Sequence, residues 1–288
     1  MSGRFDVLCL SPHLDDVALS MAATLREHVS RGQRVMVATL FSHAGARDAG
    51  AFLRKDYPLR RAEDEAACRM LGASVIHGAL HDAPFRGTGY RDLPGLCFAR
   101  NKRQATDQRK ATALVQTLVK ALRPRRVYAP LGVGEHIDHR LTHNAARALD
   151  HGQLWFYEDR PYAFVRHATA LRLWALGMGE FEGQWLDEFE HSLRAAPMLA
   201  QMDPTQVQQC LKGFAMLAAA GSTGRRLAKP QVKRFAPKAA GFAQRVFECH
   251  ASQVQGIVGG TGKYATLAAK YARQSGYTGY IERFWRLP

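Results

Sequence analysis

The chain has 288 residues, 47% of them apolar, enough to bury a sizeable core in one large domain or two small ones. Forty Lys and Arg against 25 Asp and Glu leave a formal charge of +15, which attracts anions without choosing among nucleic acid, membrane phosphates and phosphorylated small molecules. The five cysteines, Cys9, Cys68, Cys97, Cys210 and Cys249, form no C-x-x-C pair, which argues against a cysteine zinc site or a disulfide framework.

Free thiols suit a reducing compartment. The first six residues run straight into a strand pattern, with no basic segment followed by an apolar one. No apolar stretch reaches the roughly 18 residues a membrane helix needs. The expectation is a cytoplasmic protein that visits a membrane surface at most.

In chain order, residues 6–11 read as a buried strand. Residues 17–30 follow, with Val17, Met21, Leu25 and Val29 on one helical face, and Gly32 ends that helix. Residues 34–41 make a second strand, completing a β-α-β unit with a right-handed crossover. A helix over 59–71 is closed by Gly72 and leads to a strand at 74–77. A helix over 105–122 stops before Pro124, and strands at 126–130 and 154–157 flank a helix over 140–149. This alternation predicts an α/β fold: a Rossmann-like, mostly parallel, doubly wound sheet.

Beyond about residue 165 the rhythm weakens. Helical patterns recur at 204–220 and 239–250, separated by a basic stretch, 225–234, that reads as a loop or the exposed rim of a helix. The wider segment 225–238 is most simply a solvated surface. The expected organisation is one domain, 1–288, with an α/β core to about 165 and an irregular, partly helical C-terminal cap over 166–288.

Two clusters carry chemistry. The first is Pro12-His13-Leu14-Asp15-Asp16, just past the first strand. His13 and Asp16 stand three apart, so a tight turn brings both to one metal, and imidazole with carboxylate suits zinc or another first-row divalent ion. Asp15 points elsewhere and is placed to act as a general base. The plain alternative is that Asp15 or Asp16 only caps the next helix. The second cluster is His136-Ile137-Asp138-His139, reached through a loop with Gly132 and Gly134. One histidine binds metal, another meets substrate, and Asp138 orients an imidazole. The plain alternative is a polar helix start. In open α/β sheets ligands bind beyond the carboxyl ends of the strands, where both clusters lie.

Through Ser11-Pro12-His13-Leu14-Asp15-Asp16-Val17 and His136-Ile137-Asp138-His139, the sequence resembles the PIG-L/LmbE-like family of metal-dependent N-acetylglucosaminyl deacetylases. Arg60, Glu63 and Leu71-Gly72, the loop His81–Arg86, the segment Tyr157–Tyr162 and His250-Ala251-Ser252-Gln253 extend the likeness over most of the chain. The resemblance implies His13, Asp16 and His139 as metal ligands for Zn2+, with Fe2+ the other candidate. It implies Asp15 as general base, His136 as the group that polarises the carbonyl or protonates the leaving amine, and Asp138 as the tuner of its neighbours. Protonated His136 would then face the oxyanion. Arg60, Asp82 and Arg86 are the expected substrate contacts. Leu14 and Val17 depart from the common Pro and Glu, and Gly134 stands where some members carry a tyrosine.

The implied reaction is hydrolysis of the N-acetyl group of an N-acetylglucosamine-type glycoconjugate, the substrate being anionic or lipid-linked if the +15 charge recruits it. Nucleic acid is not an expected partner. Another metal-dependent amidase or esterase is the nearest alternative, and a binding protein for anionic glycolipid or nucleic acid a remoter one. Of the remaining histidines, His43 follows the second strand and shares its loop with Arg47 and Asp48, so these three are secondary site candidates.

Overall fold

A computed structural model describes residues 4–45, 56–99, 103–200, 202–221 and 229–288. The first half is a run of parallel strands and crossover helices: β1 (Val7–Ser11), α1 (Asp16–Ser30), β2 (Val35–Thr39), α2 (Tyr57–Leu71), β3 (Ser74–His77), α3 (Leu93–Phe98), α4 (Gln104–Leu122), β4 (Arg126–Pro130), α5 (Ile137–Arg147) and β5 (Leu154–Tyr157). The second half holds α6 (Ala168–Ala175), α7 (Gly183–Arg194), α8 (Pro204–Ala220), β6 (Gln231–Phe235), α9 (Lys238–Glu248), α10 (Ala251–Val258), α11 (Tyr264–Gln274) and β7 (Tyr280–Trp285).

The strands form one sheet in the order β3-β2-β1-β4-β5-β7-β6. The first five are parallel, and β7 and β6 add antiparallel. All five residues of β1 and of β2 are buried, as expected of central parallel strands covered on both faces. Alternation decides which face each side chain joins. Leu8 and Leu10 pack with Val115 of α4 and Leu141 of α5, whereas Val7 and Cys9 pack with Leu25 of α1, Leu71 of α2 and Val246 of α9. The sheet is therefore doubly wound. All five cysteines are free.

Two expectations for the second half need correction. The basic stretch is not a loop or helix rim where it is described: Gln231–Phe235 is the edge strand β6, paired with β7 over five residues. Val232 and Phe235 stand three apart among charged neighbours and fall on opposite faces of a strand, so no period of two marks it in the sequence. The segment after residue 165 also does more than cap the core, because β7 pairs with β5 and carries Phe284 and Trp285 into the sheet. Arg225, Arg226, Arg47 and Asp48 lie outside the described residues.

The C-terminal segment also repairs a break in α1. Met21 has non-helical angles (φ −148°, ψ 26°), which frees backbone groups inside a buried helix. Glu282 of β7 accepts from the Ala23 and Thr24 N–H groups at 3.0 and 2.8 Å, and Tyr264 Oη donates to the Leu19 carbonyl at 2.5 Å. Arg160, fully buried, donates to Tyr264 Oη and Tyr280 Oη at 2.8 and 2.7 Å and to the Ile281 carbonyl.

Helix α2 starts on Asp56, whose side chain accepts from Leu59 N–H, and ends on Gly72 at φ 78°. A Cβ at Gly72 would sit 2.9 Å from Val29 Cγ1, so both conformation and space require glycine. Gly72→Ala is expected to cost about 1–3 kcal/mol, read as a lower urea midpoint with an unchanged slope. An unchanged midpoint would show that the turn relaxes.

Candidate metal centre

From β1 the chain winds outward to β2 and β3, then returns to place β4 on the other side of β1. Strand order reverses there, and the crevice of such a sheet opens at the carboxyl ends of the strands. His13–Asp16 leave the end of β1, Asp82 follows β3, His136–His139 follow β4, and Asp159 follows β5.

The turn after β1 is fixed by its own polar groups. Ser11 Oγ donates to the His13 carbonyl at 2.6 Å, and His13 N–H donates to Asp16 Oδ2 at 2.7 Å. Asp15 occupies the N-cap position of α1, yet its side chain accepts no capping bond. It lines the cavity instead, with Oδ2 3.4 Å from Arg60 Nη2. The capping alternative therefore fails for Asp15. Leu14 and Val17, the two departures from the common motif, are buried packing residues.

At the second cluster the capping alternative holds in part. His136 is the N-cap of α5, its Nδ1 accepting from Asp138 N–H at 3.2 Å. That bond places the proton of a neutral ring on Nε2. Burial, then the charge of His13, pushes the His136 pKa down to about 3. Burial thus favours the neutral ring, with Nε2–H as its donor, over the protonated form expected from the sequence. His139 Nδ1 donates to Asp159 Oδ1 at 2.6 Å, leaving Nε2 as the lone-pair nitrogen 3.4 Å from Asp16 Oδ2.

The rings of His13, His136 and His139 stand 4.8 to 5.4 Å apart, centre to centre. Two overlapping sets of donor atoms each fall within 4.8 Å of one another: His13, His136 and His139, and His13, Asp82 and Asp138. Asp16 Oδ2 joins them, 3.3 Å from His13 Nδ1. Burial opposes a charge on His13, but Asp82, Asp138 and Asp16 outweigh it and raise its pKa well above the usual value. Burial likewise opposes ionisation of Asp16, and His139 and His13 outweigh it, lowering the Asp16 pKa. This is a cluster arranged around a positive charge, and its imidazole and carboxylate donors fit a first-row divalent cation.

The carboxylates are not equivalent. Asp138 pairs with the Arg86 guanidinium and also accepts Ala83 N–H at 3.0 Å. Asp82 accepts from Tyr57 Oη at 2.6 Å and lies 3.5 Å from His13 Nε2. Asp16 meets only His13 and His139 among the ion pairs of the described residues. Arg60 and Asp82 line the central cavity, while Arg86 lies behind Asp138, within 3.3 Å of Asp107, and lines a neighbouring cavity. His43 Nδ1 lies 3.0 Å from the Gly78 carbonyl and is absent from the lining of the central cavity.

Two site residues carried no role in the sequence reading. Asp159 holds His139 and accepts the Gly132 and Val133 N–H groups at 2.7 and 2.9 Å. Its signal was a Glu-Asp-Arg run directly after an apolar strand. Tyr162 lines the cavity, its ring 5.4 Å from that of His139. A Cβ at Gly134 (φ 87°) would lie 2.5 Å from the Tyr162 ring, so the space beside residue 134 is filled by an aromatic ring from elsewhere in the chain.

Residues 8–149 match the family model described as PIG-L, GlcNAc-PI de-N-acetylase. A 2'-N-acetylparomamine deacetylase of Streptomyces fradiae is 32% identical over 182 residues, 58% of this chain and 61% of that protein. The chain thus spans less than two thirds of that relative. Among solved structures, a deacetylase of the teicoplanin biosynthesis pathway superposes with a TM-score of 0.66 at 22% identity, covering 97% of this chain and 96% of that one. A conserved Thermus thermophilus protein superposes with a TM-score of 0.51 at 17% identity, covering 99% and 95%. At these identities the structures share the fold.

Asp159→Asn removes the charge that fixes the His139 tautomer. Metal affinity is expected to fall about 10- to 100-fold, measured by competition with a chromogenic chelator. Unchanged affinity would remove Asp159 from the support of the centre.

Proposed function

We propose, from the premise that residues 8–149 carry a PIG-L family domain, that this protein is a metal-dependent hydrolase of the N-acetyl group of an amino sugar, releasing acetate and a free amine. The observation that supports this reading most is the pairing, in one cavity, of an uncapped carboxylate, Asp15, with a His-Asp cluster arranged around a positive charge. The Streptomyces fradiae relative, whose name gives an N-acetylated amino sugar as its substrate, supports the same substrate class.

His13, Asp16 and His139 are the proposed ligands. Asp16 pairs only with the imidazoles of His13 and His139 among the described ion pairs, whereas Asp82 also takes Tyr57 Oη and Asp159 two backbone N–H groups, and His139 already has its other nitrogen committed to Asp159. Zn2+ is the proposed metal, with Fe2+ the alternative. Such an ion, when bound, polarises an amide carbonyl and acidifies water.

The remaining steps belong to the chain. Asp15, steadied by Arg60, accepts the proton of the attacking water. His136 donates Nε2–H to the developing oxyanion, a term of about 2.7–4 kcal/mol where one such donor has been removed from another enzyme. The C–N bond breaks, and Asp15 returns the proton to the leaving nitrogen. The Asp138 backbone N–H holds His136 Nδ1, and its carboxylate, backed by Arg86, stands 3.2 Å from His13 Nε2. Arg60 and Asp82 are the proposed contacts to sugar hydroxyls.

The permanent charges of the described lining are Arg60 against Asp15, Asp16 and Asp82. With the proposed divalent ion bound these charges cancel, so the lining itself does not call for an anionic sugar, and the +15 of the whole chain resides elsewhere. No described helix is long and apolar enough to cross a membrane.

Three variants test these roles. Asp15→Ala should keep its metal and lose about 10²–10⁴-fold in turnover, scored as acetate release from N-acetylated sugars. Full turnover in that variant would dismiss Asp15 as the base. His139→Ala should lose its metal by elemental analysis, and normal content would strike it from the ligand set. Arg86→Met leaves Asp138 and Asp107 buried without a counter-charge and should cost about 3–5 kcal/mol of stability by denaturant unfolding.

A further inference from the structure

The cavity that reaches the cluster has a volume of about 310 Å³. Part of its lining is polar: His13, Asp15, Asp16, Arg60, Asp82 and His136. Most of the rest is apolar, a hydrocarbon sleeve to which α3, α7 and α8 contribute. Leu96 and Cys97 come from α3, Leu193 from α7, Met198 from the turn before α8, and Cys210 and Phe214 from α8. Cys97 and Cys210 are buried, free and adjacent, so they behave there as small apolar groups. Phe214 is held edge-on by Phe98 and Phe189, at 4.9 and 5.0 Å between ring centres.

An acetyl group needs none of this wall. Its methyl would leave most of that apolar wall uncovered, and such a wall favours contact with hydrocarbon over water. An N-acyl amino sugar has one part with no hydrogen-bonding group beyond its carbonyl, and that part is the acyl chain. The sugar has hydroxyls to satisfy, and the partners for them, Arg60, Asp82, Ser252 and Gln253, line the polar part of the same cavity.

We infer that the sleeve is an acyl-chain pocket, and that the preferred substrates are amino sugars N-acylated with medium-length aliphatic chains rather than acetyl alone. The inference rests on the hydrolase reading above and extends it to the acyl group. Water adds to the acyl carbonyl carbon, the C–N bond breaks, the nitrogen takes the proton, and the products are an aliphatic carboxylate and the free amino sugar. No oxidant or further reactant enters.

The test compares glucosamine N-acylated with acetyl, butanoyl, hexanoyl and octanoyl groups, using metal-loaded full-length protein and reading released amine. Each methylene buried in the sleeve should raise kcat/KM by up to about fourfold until the sleeve is full. Cys210→Phe should bring the octanoyl-to-acetyl ratio below one, as should Met202→Trp, at another residue of the same lining, in case the first variant does not fold. A parallel substrate, octyl N-acetylglucosaminide, carries its chain on the sugar side. A gain with that substrate and none with N-octanoyl would overturn the inference by placing the chain of the aglycone in the sleeve. Falling kcat/KM from acetyl onward would also overturn it while leaving the hydrolase reading intact. No amine release from any of these substrates would instead count against the hydrolase reading, and the sleeve assignment would fall with it.

Discussion

Charge compensation in the absence of water is the constraint on which the crevice depends. Asp15, Asp16, Asp82, Asp138 and Asp159 are all buried at the strand ends. An unpaired buried carboxylate costs several kcal/mol, so each must find a partner. Asp138 takes Arg86, Asp159 takes His139 and two backbone N–H groups, and Asp82 takes Tyr57 and the edge of His13. Arg60 supports Asp15. Asp16 is left with one backbone N–H and with imidazoles, which are strong cations only when protonated. A divalent ion held there, as proposed, would complete the balance in the same place and leave those imidazoles to serve as neutral ligands. Structure, stability and chemistry therefore draw on one set of pairings.

The sheet explains why these residues meet. Parallel strands all end on the same side, and the return to β4 opens a gap beside β1. The segments after β1, β3, β4 and β5 then deliver polar residues to that gap. The charged residues behind the site, such as Arg86 and Asp107, face it through the loop after β3 and the start of α4. The same segment that carries the motif also contributes to the packing. Leu14 and Val17 point inward so that His13, Asp15 and Asp16 can face the cavity.

Much of this was legible in the chain because the first half obeys simple periods. Apolar runs of strand length, helices closed by glycine, and polar clusters just past strands state the topology and point to the crevice. Asp159 escaped because its role depends on the distance between β5 and α5, which no local pattern encodes. The basic strand β6 escaped because an edge strand with one half-buried face looks like a charged loop. Arg86 shows the limit of reading side-chain type alone: its sequence position suits substrate contact, but its guanidinium is committed to Asp138 and Asp107. His136 shows a second limit, since the cap geometry that sets its tautomer is visible only in three dimensions.

The break in α1 has a consequence for how the chain is made. Helix α1 begins at the site, yet its Ala23 and Thr24 amides depend on Glu282, and its Leu19 carbonyl on Tyr264. During synthesis, the N-terminal strands and helices emerge first. The middle of α1 must wait for its partner until Glu282, 259 residues after Ala23, has left the ribosome. A nascent chain stopped short of β7 would thus hold the crevice motif on a helix that is not yet whole.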